Sequence, residues 1–156
     1  MKKVLITGSS GYIGSHLCKL LDQDYDIWGL DLLASQYPIK EGQFIQNDIN
    51  NPFEEFPEEF DAVVHLAARV QVNESRQMPI NYYITNLNGT INVLKKIKTK
   101  NFIFSSTGVA EYCYDPYGIS KKAAEDCVIE YCTERSIKPF TIFRFYNVIG
   151  SSGFAP

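Results

Sequence analysis

Short apolar, β-branched runs alternate along the chain with longer stretches in which apolar residues recur every three or four positions. Lys3–Thr7, Asp26–Leu30, Gln43–Gln46, Ala62–Leu66, Phe102–Ser105 and Phe140–Phe145 carry the first pattern and predict strands. Gly11–Leu21, Pro79–Ile97 and Tyr117–Arg135 carry the second and predict helices. Such alternation closes into an α/β fold, a doubly wound parallel sheet of about six strands flanked by helices. No internal repeat or low-complexity linker interrupts it, and Asn50–Phe60, rich in Pro and Glu, reads as a surface turn.

The first predicted turn carries the strongest chemical signal. Between the first strand and the first helix stands Thr7-Gly8-Ser9-Ser10-Gly11-Tyr12-Ile13-Gly14, with glycines spaced G-x-x-G-x-x-G. Gly8 allows a tight turn, Gly11 lets a pyrophosphate approach bare backbone, and Gly14 lets helix and strand pack closely. Free N–H groups at a helix start, backed by the helix dipole, attract phosphates. No Gly-Lys-Ser/Thr follows, which disfavours a phosphate-transferring P-loop. Asp31 closes the second strand about 20 residues on, where a carboxylate accepts both ribose hydroxyls of an adenosine and repels a 2′-phosphate. The expected cofactor is NAD rather than NADP. Asp48 and Ile49, after the third strand, are placed to bond and flank an adenine.

A second constellation lies further along. Tyr117 and Lys121 are four residues apart at the start of a helix announced by Asp115-Pro116, so they share one face. A phenol titrates near pH 10, but a neighbouring ammonium and a cationic nicotinamide both favour the phenolate, making an acid–base group. The fifth strand ends in Ser105-Ser106-Thr107, at the sheet edge where ligands of open α/β sheets sit, and Thr107 is placed to hold a reacting oxygen.

Composition changes the picture mainly by exclusion. The 156 residues suit one domain, and a net charge of −3 with only Lys95, Lys96, Lys98 and Lys100 clustered argues against nucleic acid as a partner. Met1-Lys2-Lys3 leads into too short an apolar run for a signal peptide or membrane span, so a cytoplasmic protein with no membrane partner is expected. Cys18, Cys113, Cys127 and Cys132 form no CxxC pair and have no histidines at zinc spacing, which predicts reduced thiols and no metal.

In order along the chain, the glycine turn, Asp31-Leu32-Leu33, Asn47-Asp48-Ile49, His65-Leu66-Ala67-Ala68, Asn86-Leu87-Asn88-Gly89-Thr90, Phe102-Ile103-Phe104-Ser105-Ser106-Thr107, Pro116-Tyr117-Gly118-Ile119-Ser120-Lys121 and Arg144-Phe145-Tyr146-Asn147 resemble the extended short-chain dehydrogenase/reductase family, the NAD-dependent nucleotide-sugar epimerases and dehydratases. Within that family the segments most resemble the UDP-glucose 4-epimerase group. The resemblance implies a Rossmann domain in which Gly8, Gly11, Gly14, Tyr12 and Ile13 meet the pyrophosphate, Asp31 and Leu32 the adenosine ribose, and Asp48 and Ile49 the adenine. It implies that Leu66, Ala67 and Ala68 line the dinucleotide, that Asn86 supports its ribose side, and that Tyr146 stands beside the nicotinamide. Lys121 would bond the nicotinamide ribose and lower the pKa of Tyr117. Thr107 would pair with Tyr117 on the sugar hydroxyl, with Ser106 and Asn147 on the side of the nucleotide sugar, most simply a UDP-sugar. His16 and His65 are expected to be packed residues.

The chain also departs from the family. Its Thr107–Tyr117 connection is short, Val70 stands where epimerases place a lysine, and Gly108-Val109 replaces the Asp-Glu pair of sugar dehydratases. The expectation is one NAD-binding domain over residues 1–156 without the C-terminal substrate-binding portion of the family. Three functions stay open: an epimerase with Tyr117 as base, an NAD-binding module or sensor with weak or no turnover alone, and a half-site completed by a partner chain. A homodimer through helices 79–97 and 117–135, using Tyr82, Tyr83, Ile91, Cys127, Ile129 and Tyr131, is expected in the manner of the family.

Overall fold

A computed structural model of the chain describes residues 1–52, 56 and 59–150. The Asn50–Phe60 turn therefore falls partly outside the described residues. All six predicted strands are present: β1 (Lys2–Thr7), β2 (Tyr25–Asp31), β3 (Phe44–Gln46), β4 (Ala62–His65), β5 (Phe102–Thr107) and β6 (Phe140–Phe145). They form one parallel sheet in the order β3-β2-β1-β4-β5-β6.

Period-two alternation distributes the side chains between two cores. Val4, Ile6, Ile27 and Val64 turn to one face and pack with Cys18 of α1 (Tyr12–Leu21). Leu5, Leu30, Val63, Phe102 and Phe104 turn to the other. There they meet Val93 and Leu94 of α4 (Gly89–Lys96) and Ala124, Val128 and Cys132 of α5 (Pro116–Glu134). The order of strands reverses between β1 and β4, paired Thr7 to His65 at their carboxyl ends, and a crevice opens above that reversal.

The long helix predicted over Pro79–Ile97 is not continuous. It divides into α3 (Pro79–Tyr82), a π-helical turn (Tyr83–Asn88) and α4, and a further helix that periodicity missed, α2 (Val72–Gln77), precedes it. The wider turn sits where Asn86 points inward to bond Arg69 and Ser120, an interruption of the ordinary ladder that local pattern does not report. Helix α5 starts where the sequence announced it. Asp115 caps it by accepting from Gly118 N at 2.8 Å, and Pro116 occupies the first turn, where a missing N–H costs nothing.

Candidate active site

The glycine turn is built by hydrogen bonds that only small residues permit. Gly8 adopts φ +74°, its N–H donates to Leu30 O at 2.8 Å, and its carbonyl accepts from Gly11 N at 3.1 Å. A Cβ on Gly14 would lie 2.1 Å from that carbonyl oxygen. Helix α1 begins at Tyr12 with no side chain capping its N-terminus, so its leading N–H groups remain available to an anion. Beside them the Asp31 carboxylate is oriented by two backbone donors, Ser10 N at 2.8 Å and Leu33 N at 2.9 Å.

A cleft of about 910 Å³ runs from this turn across the ends of β1, β4, β5 and β6. Its lining collects the expected Gly8, Gly11, Tyr12, Ile13, Gly14, Asp31, Leu32, Asp48 and Ile49 at one end. At the other it collects Leu66, Ala67 and Ala68 with Ser106, Thr107, Tyr117, Lys121, Tyr146 and Asn147. Residues separated by more than a hundred positions thus share one crevice, of the size and mixed polarity of small-ligand sites. Asp48 is already engaged through its Oδ1 by Asn50, and Ile49 is largely sunk in the core. Ser106 is buried on β5.

Asn86 is placed differently from its expected role. It is 1% exposed beneath the cleft, where it accepts from Arg69 N at 2.8 Å and donates to Arg69 O and Ser120 Oγ at 3.0 Å. It therefore ties the irregular segment following β4 to α5 from beneath the crevice. Lining residues that the motifs did not single out include Arg69, Thr85 and Val148. Arg69 directly follows Leu66-Ala67-Ala68 at the sheet reversal, a position that itself marks it as a lining residue; Thr85 depends on the π-turn register and had no local signal.

At the catalytic end, Thr107 donates a hydrogen bond that lowers the pKa of Tyr117, yet that phenol lies above its usual range because burial outweighs it, with Asp115 adding in the same direction. Lys121 is itself 2% exposed, and burial pulls its ammonium down to about 7 against a supporting Glu125, so its positive charge is weakened where it would act. Tyr117 also meets the Tyr82 ring edge-on, with centroids 6.3 Å apart. Tyr82 is fully buried, its hydroxyl 2.6 Å from Glu74 Oε2 and 2.7 Å from Gln71 O, and it braces the active-site helix from behind. Tyr146, 76% exposed, lies over Gly108: a Cβ there would come within 2.3 Å of the Tyr146 ring. As expected, His65 is a packed residue, held between Thr7 Oγ1 at 2.6 Å and Thr90 Oγ1 at 2.9 Å.

A glycine-rich turn at an uncapped helix start, a carboxylate ending β2 and a Tyr–Lys–Thr cluster, all in one crevice at a sheet reversal, mark a Rossmann-like domain. A model of the NAD dependent epimerase/dehydratase family matches residues 4–156, and the chain belongs to that family. It is 34% identical to a putative UDP-arabinose 4-epimerase 2 of Arabidopsis thaliana over 95% of this chain and 43% of the relative. It is 30% identical to the UDP-glucose 4-epimerase of Mus musculus over 97% of this chain and 55% of the relative. Among solved structures, a UDP-glucose 4-epimerase from Brucella ovis in complex with NAD superposes with TM-score 0.80 at 28% identity, over 94% of this chain and 52% of that one. A UDP-Glc/GlcNAc 4-epimerase from Campylobacter jejuni does so with TM-score 0.78 at 31% identity, over 92% and 53%. The chain spans about half the length of the curated relatives it matches.

Proposed function

We propose that this chain binds NAD and supplies the proton-transfer half of a nucleotide-sugar 4-epimerase site. What carries this reading is the placement of Thr107, Tyr117 and Lys121 in the same cleft as the glycine turn and Asp31. The residues fit the cofactor: Gly8 and Gly14 let the turn pack against backbone so closely that a Cβ would come within 2.7 and 2.1 Å of it, the start of α1 is uncapped, and Asp31 stands oriented at the end of β2. The chemistry that bound NAD would supply is reversible hydride acceptance at the sugar carbon bearing the reacting hydroxyl, with return to the opposite face.

The chain's own residues handle the proton. Tyr117 Oη, once deprotonated, takes the hydroxyl proton as the carbon–hydrogen bond breaks, and gives it back when the ketone is reduced, so no net proton or electron is consumed. Thr107 Oγ1 holds the same oxygen and fixes its distance from the phenol. Lys121, on the floor of the cleft, bonds the nicotinamide ribose and, as an ammonium, favours the phenolate. Ser106 and Asn147 face the nucleotide sugar, a UDP-sugar by analogy with the relatives, and Leu66, Ala67 and Ala68 exclude water from the dinucleotide.

The setting follows from the same residues. No helix among the described residues is long and apolar enough to cross a membrane. The four cysteines are free, and burial pushes Cys18 up to about 12 and Cys132 up to about 11, which makes these two inert thiols; a cytoplasmic setting is compatible with them. Two copies pair through the α3–α5 side, although Tyr82, once expected on that surface, is buried within its own chain; Ile80, Ile84, Ile119 and Ile129 are the exposed apolar residues there.

Separate calorimetric titrations with NAD and with UDP-glucose or UDP-arabinose test the reading. Saturable NAD binding that Asp31→Ala weakens supports it, and a response to the UDP-sugar in the presence of NAD supports the epimerase assignment over a nucleotide-only module. No heat with NAD at any concentration up to the millimolar range refutes it.

A further inference from the structure

Lys121 stands in a charge environment that the proposed reaction does not itself use. Its ammonium is 2% exposed and lies 4.2 Å from the centroid of the Phe104 ring. Burying an ammonium is unfavourable without a counter-charge. The carboxylate that supports it belongs to Glu125, one turn further along α5. Glu125 is equally buried and is gripped from β6 by both prongs of Arg144, Nε to Oε1 at 2.9 Å and Nη2 to Oε2 at 2.7 Å. Arg144 lies two residues before Tyr146. A line of alternating charge, Lys121–Glu125–Arg144, therefore runs from the cleft floor to the strand that delivers Tyr146 and Asn147.

We propose that Glu125, clamped by Arg144, is a positioning residue that keeps Lys121 a cation and holds its helix in register with β6, without touching cofactor or substrate. The proposal deepens the NAD-binding reading and rests on it for its functional meaning. The groups around Lys121 give it a definite sign. On α5 itself stand Tyr117, Lys122 and Glu125; His65 of β4 and Phe104 of β5 lie against it, Thr107 shares its cleft, and Arg144 of β6 is linked to it through Glu125. His65 is neutral near pH 7, burial having pulled it down to about 3. Lys122 is paired with Asp126 on the outer face of α5. Removing the Glu125 charge takes away the opposite charge one turn from Lys121, so it gives up its proton more readily. Removing the Arg144 charge leaves the Glu125 carboxylate unshared, so Lys121 keeps its proton longer. A merely structural pair would move Lys121 the same way in both variants, since either loss loosens the same contact.

The test is NMR titration of the full chain labelled at lysine ¹³Cε, with the Lys121 signal assigned by Lys121→Arg. Glu125→Gln is expected to lower the Lys121 midpoint by about 1 unit or more, the size usual for losing an adjacent opposite charge, and Arg144→Gln to raise it. NAD affinity, measured at pH 6 and pH 8, should then fall between the two pH values more steeply in Glu125→Gln than in the parent and less steeply in Arg144→Gln. A midpoint unmoved by Glu125→Gln, or moved in the same direction by both substitutions, overturns the proposal. If Glu125→Gln does not fold, Arg144→Gln, at a side chain 39% exposed, decides alone; an unmoved or lowered midpoint refutes the idea. The NMR midpoints need no cofactor, so failure of NAD binding would count against the functional reading while the titration still judges Glu125.

Discussion

Gly14→Ala isolates the geometry of the phosphate-binding turn. The added Cβ would sit 2.1 Å from Gly8 O and 2.8 Å from Ser9 Cα, both backbone atoms that cannot rotate away. Gly8 O is moreover the acceptor for Gly11 N at 3.1 Å, so relief requires α1 and the turn to separate by about 1 Å, since a normal contact needs more than 3.4 Å. Overpacking of this kind costs about 1–3 kcal/mol, which for a domain of this size lowers Tm by roughly 3–9 °C. The effect on NAD should be larger in proportion, because the N–H groups that receive the pyrophosphate move with the turn; a displacement near 1 Å is expected to raise Kd on the order of 100-fold. Gly11→Ala, whose Cβ would meet only Gly8 O at 3.3 Å, should be milder on both counts. Gly42→Ala is the control: it has φ +79° but open space around it, so it carries about 1–2 kcal/mol of backbone strain and leaves NAD binding unchanged. Thermal melts and calorimetric titration of the three variants provide the measurement. Gly14→Ala binding NAD like the parent, with unchanged Tm, would refute the argument that this glycine is required for space.

Asp31→Asn is expected to narrow the preference for NAD over NADP about tenfold, read by parallel titrations, because a carboxylate next to a 2′-phosphate is opposed by about 1–4 kcal/mol of like-charge repulsion; equal affinities in the unmutated chain would contradict the role given to Asp31. His65 sets an acid limb to stability. Burial pulls it from 6.5 to about 3, so the unfolded chain takes the proton first and stability is lost as pH falls from about 6.5 towards 3; urea melts should show this decline, flattened in His65→Gln. Self-association through the α3–α5 side predicts a dimer by sedimentation at micromolar concentration, converted to monomer by Ile129→Glu or Ile84→Glu at positions 40% and 42% exposed; a monomeric parent chain rejects that interface.

Much of the site was legible in the chain because its signals are local. A glycine needed for φ +74° at Gly8, a carboxylate ending β2 at Asp31, a capped helix start at Asp115-Pro116 and two side chains four apart at Tyr117 and Lys121 are each determined within a few residues by turn chemistry and helical periodicity. The six strands were equally readable, since alternation with period two and β-branched composition are properties of short segments. The doubly wound order then followed, because short right-handed crossovers between parallel strands leave few alternatives.

Tertiary structure alone decided what depends on where distant segments meet. Helical periodicity continues unbroken through Pro79–Ile97, and the π-turn falls where Asn86 reaches inward to Arg69 and Ser120. Tyr82 carries the same amphipathic signature as a surface tyrosine, and its burial against Tyr117 and Glu74 arises from the packing of α2 on α3. Glu125 looks like any polar helix residue until β6 brings Arg144 to it, and Lys121 looks like any helix cation until the fold buries its ammonium and lowers its affinity for a proton. Local pattern determines which conformations a segment can adopt; burial, desolvation and the pairing of charges are properties of the assembled core, and they determine what each side chain can do there.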